Sequence, residues 1–286
     1  MYSAPGSRRS TLINAAAAVV GLSASRLAFA RATQGTVHFG LILKMKEDLQ
    51  TNWQAALARV AGLGIKEVEF PGTLGNSAAA CRKVLDELGI RALGGGSVYK
   101  DLVATMDEVL ETSAVLGKRY VYCYWPWLDG GKDKTADDWK RLAGTMNHLG
   151  ARVKRGGLTL AYHNHDMEFL PIANDARVPF DLLLEHTDPS LVTMQLDLWW
   201  VNKAKASPVP FMKRHPGRFA SFHIKEPNNT PEAGMACDGG SFTNIATILR
   251  AGKAAGVKHF VIENEDPKDH YKCAARTLGY LKSLHI

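Results

Sequence analysis

The chain has 286 residues, of which 46% are hydrophobic, 22% are charged and 8% are aromatic. This composition excludes a disordered chain, which would hold fewer apolar residues, and a protein of many membrane spans, which would hold longer apolar runs. The formal net charge is +7, but Arg8, Arg9 and Arg26 lie among the first thirty residues, and the remainder has 32 basic against 28 acidic residues. Because the remainder holds no block of Lys and Arg, nucleic acid and anionic membranes are not the expected partners.

The N-terminus has the pattern of an export signal. A pair of arginines, Arg8 and Arg9, precedes an Ala/Val/Leu-rich stretch that reaches Leu22, and a small-x-small ending comes after it at Leu27–Ala30. The stretch is too short to anchor the chain permanently in a membrane, and the paired arginines resemble a twin-arginine signal, which exports folded proteins. We expect residues 1–30 to be removed near Ala30 and the protein to be periplasmic. The alternative is an amphipathic first helix. A periplasmic destination disfavours phosphorylated substrates.

From residue 36 onward, short β-branched runs alternate with longer helical patterns. Cys81, Val84, Leu85 and Leu88 fall on one helical face. Thr135 has the pattern of a helix N-cap, and an apolar stripe runs after it from Trp139 through Leu142, Met146 and Leu149 to Val153. The predicted strands are Val37–Leu43, Ile65–Phe70, Ile90–Gly95, Arg119–Trp125, Leu158–Asn164, Val192–Leu198, Phe219–Ile224 and Lys258–Asn264.

The junctions between these elements predict how the strands are arranged. Five predicted helices end in a glycine directly before a strand, and glycine there supplies the left-handed residue that turns the chain back into the sheet. Eight strands with intervening helices predict a parallel sheet closed into a single (β/α)8 TIM barrel that covers residues 31–286. A doubly wound open sheet is the alternative, but no Gly-x-Gly-x-x-Gly comes after the first strand. The five glycines are Gly64, Gly89, Gly117, Gly157 and Gly256.

The four cysteines give no sign of a zinc site. Cys81, Cys123, Cys237 and Cys273 form no Cys-x-x-Cys pair. Oxidation is compatible with the periplasm, but the first interpretation is that all four are small buried hydrophobic residues.

Charged and imidazole groups end several of the apolar runs. Asp197, His223 and Glu263 end the sixth, seventh and eighth predicted strands, so they would be neighbours at the rim where barrel chemistry takes place. Such groups are costly to bury unless their charge is compensated, and a divalent cation compensates it. A lone Asp197 would be interpreted as a helix cap. Lys225 lies two residues beyond His223 and shares its inward parity, which predicts a substrate contact.

These residues resemble the sugar phosphate isomerase/epimerase family, in the xylose-isomerase-like, endonuclease-IV-like TIM-barrel superfamily. The resemblance implies a carbohydrate substrate, a homo-oligomer and a divalent metal (Mn, Zn, Co or Mg). It also implies metal ligands from strands five to eight, of which three carry over onto Asp197, His223 and Glu263. The motifs that carry it are Val68–Gly72, Tyr162–Phe169, Leu196–Val201, His223–Glu226 and Val261–Glu263.

The strand-five ligand is where this sequence departs from the family. Many relatives have Glu where His163 stands here, so either His163 binds the metal or Glu168, five residues on, reaches in. The preference of hard ions for carboxylates favours Glu168 and leaves His163 and His165 for substrate contact or proton transfer. Trp200 stands where relatives often have His; it offers a sugar ring an apolar face or packs in the core. Glu69 is a candidate substrate-binding group.

A site of this kind favours chemistry next to a carbonyl group. A divalent ion lowers the cost of an enediolate, and a base, either Glu263 or one of His163 and His165, removes the carbon-bound proton while Lys225 polarises a substrate oxygen. The sequence therefore predicts a metal-dependent isomerase/epimerase or lyase acting on an unphosphorylated keto-sugar, keto-inositol or keto-glycoside. The alternatives are a hydrolase of the endonuclease-IV type, which needs a trinuclear cluster, and a non-catalytic sugar-binding barrel.

Overall fold

Eight parallel strands form a closed barrel in which each strand pairs with the next along the chain and β1 pairs with β8. The computed structural model describes residues 37–127, 134–173, 175, 177–225 (without the side chain of Lys225), 245–264 and 269–286. The predicted export signal lies outside these residues. The prediction of a (β/α)8 barrel is confirmed. The strands are β1 His38–Ile42, β2 Glu67–Glu69, β3 Arg91–Val98, β4 Tyr120–Trp125, β5 Thr159–His163, β6 Val192–Asp197, β7 Phe219–Lys225 and β8 His259–Glu263.

Helices alternate with the strands and bury one apolar face each against the barrel. The predicted N-cap at Thr135 is present: its side chain accepts the N–H of Asp138, whose carboxylate in turn accepts the N–H of Thr135. None of the described helices is both long and apolar enough to cross a membrane. The helices are α1 Lys46–Gly62, α2 Ala78–Glu87, α3 Tyr99–Ala104, α4 Met106–Leu116, α5 Ala136–Arg155, α6 Pro179–His186, α7 Leu198–Lys203, α8 Val209–Arg214, α9 Ile245–Ala254 and α10 His270–Ser283, with a 3-10 turn at Met167–Phe169.

The glycines predicted to end helices adopt the backbone conformation that this role requires. All five have φ between 63° and 97°, in the left-handed region that favours glycine. At Gly117, for example, φ is 66° and the backbone N–H bonds to the carbonyl of Ala114 at the end of α4. These junctions return the chain to the sheet after one helix and so produce the repeating unit of the barrel.

The predicted strands agree with the observed ones to within two residues, except at β3. This strand runs on to Val98 through Gly94, Gly95 and Gly96. A β-carbon on Gly96 would lie 1.9 Å from the carbonyl oxygen of Tyr122 on β4, so the backbones approach too closely for any side chain. The predicted strand ends too early because glycine usually weakens a strand, whereas here it permits the close approach.

A polar network around Glu69 lies inside the barrel, next to the candidate site. Glu69 on β2 makes hydrogen bonds to Tyr124 on β4, Gln195 on β6 and His223 on β7, none of them on a neighbouring strand. Its side chain therefore lies inside the barrel. TIM barrels usually fill this space with branched apolar residues. Here the apolar core lies instead between the outer face of the strands and the helices, where residues such as Phe222 are buried.

The cysteines behave in two different ways. Cys81 and Cys123 are free and buried, as interpreted from the sequence. Cys273 is buried as well, but it is disulfide-bonded, so for this residue the oxidation that the sequence left open is the correct interpretation. Cys237 lies outside the described residues. A disulfide fits the oxidising compartments in which such bonds persist.

Candidate active site

Three side chains from consecutive strands meet at the carboxyl end of the barrel. In the strand register Asp197 is opposite His223, and Lys225 at the end of β7 is opposite Glu263. His223 Nδ1 lies 2.6 Å from Glu263 Oε2, and His223 and Asp197 share with His163 a set of ligand atoms that all lie within 4.8 Å of one another. Asp197, His223 and Glu263 are each at most 4% exposed. The structure thus brings together the three groups that the sequence placed at neighbouring strand ends.

His223 is held between two carboxylates. Its Nδ1 contacts Glu263 Oε2, and its Nε2 lies 3.1 Å from Glu69 Oε1. Burial by itself lowers the pKa of an imidazole, but the charges of Glu69 and Glu263 outweigh it and raise the pKa of His223 to about 10. In the absence of another cation, His223 therefore carries a proton that balances part of the buried negative charge.

His163 faces this cluster as a neutral imidazole. Gln195 donates from Nε2 to Glu69 Oε2 at 2.9 Å, which orients its Oε1 towards His163 Nδ1, also at 2.9 Å. Because an amide oxygen only accepts, Nδ1 of His163 carries the proton and Nε2 keeps its lone pair. Burial, together with repulsion from His223 and His165, holds the pKa of His163 well below its ordinary value. The free lone pair on Nε2 faces Asp197 Oδ2 at 3.7 Å.

Asp197 caps a helix with one carboxylate oxygen and faces the cluster with the other. Its Oδ1 accepts the backbone N–H groups of Trp199 and Trp200 and so caps α7. Its own N–H donates to the side-chain oxygen of Asn164 at 2.9 Å, which ties the end of β6 to the end of β5. Its Oδ2 faces His163. The helix cap thus fixes the carboxylate while the other oxygen faces the cluster.

The donor set fits a divalent cation. Two imidazoles and a carboxylate make up the group within 4.8 Å, and Glu263 adjoins it through His223. Imidazole together with carboxylate suits Mn, Zn, Co and related ions, and buried carboxylates need a compensating charge. Lys44 contributes one such charge, since its Nζ lies 2.5 Å from Glu263 Oε1, and a protonated His223 contributes another between Glu69 and Glu263. Within the part of the chain that the structure describes, this group has the composition and spacing that shared coordination requires.

Glu168 does not join the cluster. Its Oε1 accepts the hydroxyl of Tyr162 at 2.7 Å, and its Oε2 accepts the N–H of His165 at 2.9 Å. Tyr162 packs in the core outside the barrel, since it precedes His163 and successive strand residues face opposite ways. Burial raises the pKa of Glu168 to about 7 despite these hydrogen bonds. Contrary to the expectation from the sequence, His163 and not Glu168 stands with the cluster, because the 3-10 turn carries the carboxylate to the outer face of β5.

Of the remaining predicted site residues, His165 and Trp200 lie at the mouth of the barrel. The ring of His165 lies 4.9 Å from that of Trp200 and 5.2 Å from that of Trp125, so the three form an aromatic wall. Lys203 lies over the Trp200 ring, with its Nζ 4.4 Å from the ring centroid. Trp200 is half-buried, so it is not a core residue. Glu69 lies inside the barrel below the cluster. Lys225 ends β7, and its side chain lies outside the described residues.

Sequence reasoning missed three contributors to the site. Gln195 stands within an apolar run, although it lies two residues before Asp197 and shares its inward parity. Tyr124 donates its hydroxyl to Glu69 at 2.8 Å and is the last of three alternating tyrosines on β4, a pattern visible in the sequence. Lys44 comes from the loop after β1, and no sequence pattern indicated its contact with Glu263.

Comparisons of the sequence with known proteins match only part of the chain. No family model matches the chain. It is 26% identical over 92 residues to inosose dehydratase 2 of Bacillus cereus, a match that spans 32% of this chain and 30% of that one. The chain thus matches only about a third of the length of its curated relatives.

Solved structures match over most of the chain. A sugar phosphate isomerase/epimerase from Parabacteroides distasonis ATCC 8503 has a TM-score of 0.69 at 22% identity, covering 87% of this chain and 94% of that one. D-psicose 3-epimerase from Clostridium cellulolyticum H10 gives 0.64 at 13%, covering 87% and 98%. An AP endonuclease, family 2, from Brucella melitensis gives 0.61 at 13%, covering 84% and 96%. At such identities these matches establish the barrel and no more.

Proposed function

We propose that this protein is a divalent-metal-dependent enzyme that removes a proton from the carbon next to a carbonyl group of an unphosphorylated keto-sugar, keto-inositol or keto-glycoside. The observation that carries the proposal is the buried cluster of His163, Asp197 and His223, adjoined by Glu263, at the carboxyl end of a closed barrel. Sugar epimerases among the structural neighbours and inosose dehydratases among the sequence relatives support the same substrate class.

His163, Asp197, His223 and Glu263 would hold the cation. When bound, a divalent cation lowers the cost of the negative charge that forms on a carbonyl oxygen during proton removal. Gln195 keeps His163 in the tautomer whose Nε2 is free to bind, and the cap on α7 keeps Asp197 in place. The network below the cluster therefore fixes the ligands before any substrate arrives, which is what efficient electrostatic catalysis needs.

His165 is the residue we assign to proton exchange with the substrate. With His163 committed to the cation, His165 is the imidazole that remains at the mouth of the barrel among the residues that the structure describes, and its ring packs against those of Trp125 and Trp200. Glu263 remains the second candidate, because it adjoins the cluster. The two indoles offer the apolar faces against which sugar rings stack. Lys225, at the end of β7, would polarise a substrate oxygen.

The outcome of the reaction depends on the step after proton removal. Return of the proton to the other face gives epimerisation, return to the neighbouring carbon gives isomerisation, and loss of a β-hydroxyl gives dehydration. The curated relatives make dehydration the first outcome to test. The endonuclease-type alternative needs three metal ions, whereas the described residues bring together one group of three potential ligands.

The test combines metal analysis with proton exchange. Purified protein is expected to contain a stoichiometric divalent ion that a chelator removes. In heavy water, the metal-loaded protein is expected to place deuterium on the carbon next to the carbonyl of one member of a panel of keto-sugars and keto-inositols. The Asp197→Asn variant serves as the control without exchange. Retained sugar binding with neither exchange nor turnover would instead support a non-catalytic barrel.

Gln195→Leu is expected to weaken metal binding about 10–100-fold, the usual cost of losing a group that orients a ligand histidine. The variant removes the acceptor that holds the proton on His163 Nδ1 and the donor to Glu69. Titration with a competing chelator measures the affinity. Gln54→Leu, the same change at an exposed position on α1, is the control. Equal metal affinity in the two variants would show that Gln195 does not contribute to metal binding.

We also propose that the protein is exported and acts in the periplasm. The twin-arginine pattern of Arg8 and Arg9 supports this location, and so does the disulfide at Cys273. The protein recovered from the periplasmic fraction is expected to begin at about Arg31, as determined by N-terminal sequencing. A chain that keeps its first thirty residues and fractionates with cytoplasmic markers would contradict the proposal.

A further inference from the structure

A polar cavity lies at the opposite end of the barrel from the candidate active site. Its volume is about 420 Å³. His38, Glu67, Arg91 and His259 line it, and each is the first residue of its strand, in β1, β2, β3 and β8 respectively. Because the strands are parallel, their first residues all lie at the end away from the carboxyl ends. The cavity shares no lining residue with the cluster around His223.

The wall of this cavity carries an excess of positive charge. Arg91 pairs with Glu67 at 2.9 Å and Arg82 pairs with Asp86 at 2.8 Å, so two of its three guanidinium groups are balanced. The third belongs to Arg119, which is exposed and makes no side-chain hydrogen bond or ion pair with any residue that the structure describes. The excess is one positive charge before either histidine is protonated.

The buried part of the wall also contains an unsatisfied polar atom. His259 is 2% exposed, and its Nδ1 lies 2.7 Å from Glu67 Oε2 while its ring stacks on His38 at 5.7 Å. Its Nε2 is buried and has no hydrogen-bond partner among the described residues. A buried polar atom without a hydrogen-bond partner lowers the stability of the folded protein. Because the Glu67 carboxylate only accepts, Nδ1 carries the ring proton and Nε2 offers a lone pair, which can accept a hydrogen bond from the hydroxyl of a partly protonated oxyanion. The wall thus retains a donor in Arg119 and an acceptor in His259 beyond what the fold uses.

We propose that this cavity binds a small oxyanion of the phosphate class, either the free anion or a phosphate ester. Guanidinium groups form paired, planar hydrogen bonds to phosphate oxygens, and three of them line one cavity here. The volume lies in the range of small-ligand pockets. Chemistry in TIM barrels takes place at the other end, so the bound anion acts as a stabilising or regulatory ligand and not as a substrate.

The test measures phosphate binding to the full-length protein by calorimetry at constant ionic strength. Arg119→Gln is expected to weaken the binding of inorganic phosphate about tenfold, the effect of one lost charge-assisted contact. Lys83→Gln removes one positive charge on α2, next to Arg82 but outside the cavity wall, and is expected to bind phosphate like the unaltered protein. Because the Arg119 side chain makes no ion pair or hydrogen bond with the described residues, its variant is expected to keep the same melting temperature without phosphate.

Two further titrations identify the kind of anion and test whether phosphate binds at the candidate active site instead. Tighter binding of glycerol phosphate than of inorganic phosphate would assign the cavity to an ester, whereas equal binding would assign it to the free anion. Phosphate can also bind a metal ion, so Asp197→Asn is titrated in parallel and is expected to leave phosphate binding unchanged. Equal phosphate affinity in Arg119→Gln and the unaltered protein, the absence of saturable binding, or its loss in Asp197→Asn would overturn the proposal.

Discussion

His223→Gln is expected to remove stoichiometric metal binding and to lower kcat/KM by at least about 10³-fold, at the upper end of what loss of one electrostatic contributor costs. The imidazole lies between Glu69 and Glu263 and within ligand distance of Asp197 and His163. Glutamine lacks the imidazole nitrogen that would bind the cation, and without the cation it cannot carry the proton that balances these carboxylates. Metal content measured on the folded protein, with kcat/KM measured at saturating metal, checks the prediction.

The control for this variant is a histidine-to-glutamine substitution at a position away from the cluster. His148 is exposed on α5, and His148→Gln is expected to retain both metal and activity. A melting curve of each variant separates loss of the site from loss of the fold. Stoichiometric metal in folded His223→Gln would mean that this histidine is not a ligand, and the proposed reaction would lose its main support.

Gly96→Ala is expected to destabilise the protein by at least about 3 kcal/mol, at the upper end of the cost of overpacking. The added methyl group would lie 1.9 Å from the carbonyl oxygen and 2.6 Å from the carbonyl carbon of Tyr122. Both atoms belong to the backbone of β4, which pairs with β3 at this residue, so relief requires the strands to separate. Urea unfolding measures the change in the free energy of unfolding.

Gly144→Ala is the matched control for Gly96→Ala. Gly144 lies within α5, and a β-carbon there would meet nothing within 4 Å. Since alanine favours a helix over glycine, this variant is expected to gain about 0.5–1 kcal/mol. Similar destabilisation in both variants would mean that the close contact between β3 and β4 does not limit the residue at position 96.

The order and position of the barrel elements are determined by local sequence. Glycines such as Gly117 end helices because the left-handed conformation suits them, and β-branched runs mark the strands to within a few residues. Asp197, His223 and Glu263 are recognisable because each ends an apolar run, and the ends of parallel strands meet at one rim. These signals are local, so a single sequence contains them.

The identity of the fourth group in the cluster was decided only by the tertiary structure. His163 and Glu168 are five residues apart, and the choice depends on which face of β5 the turn at Met167–Phe169 returns to. The environment of His223 is equally non-local, because Glu69 is 154 residues away and reaches it across the barrel interior. Contacts between such distant residues depend on how the barrel closes, and the charge state of a buried histidine depends on those contacts. Sequence patterns extend over a few residues and therefore could not contain either result.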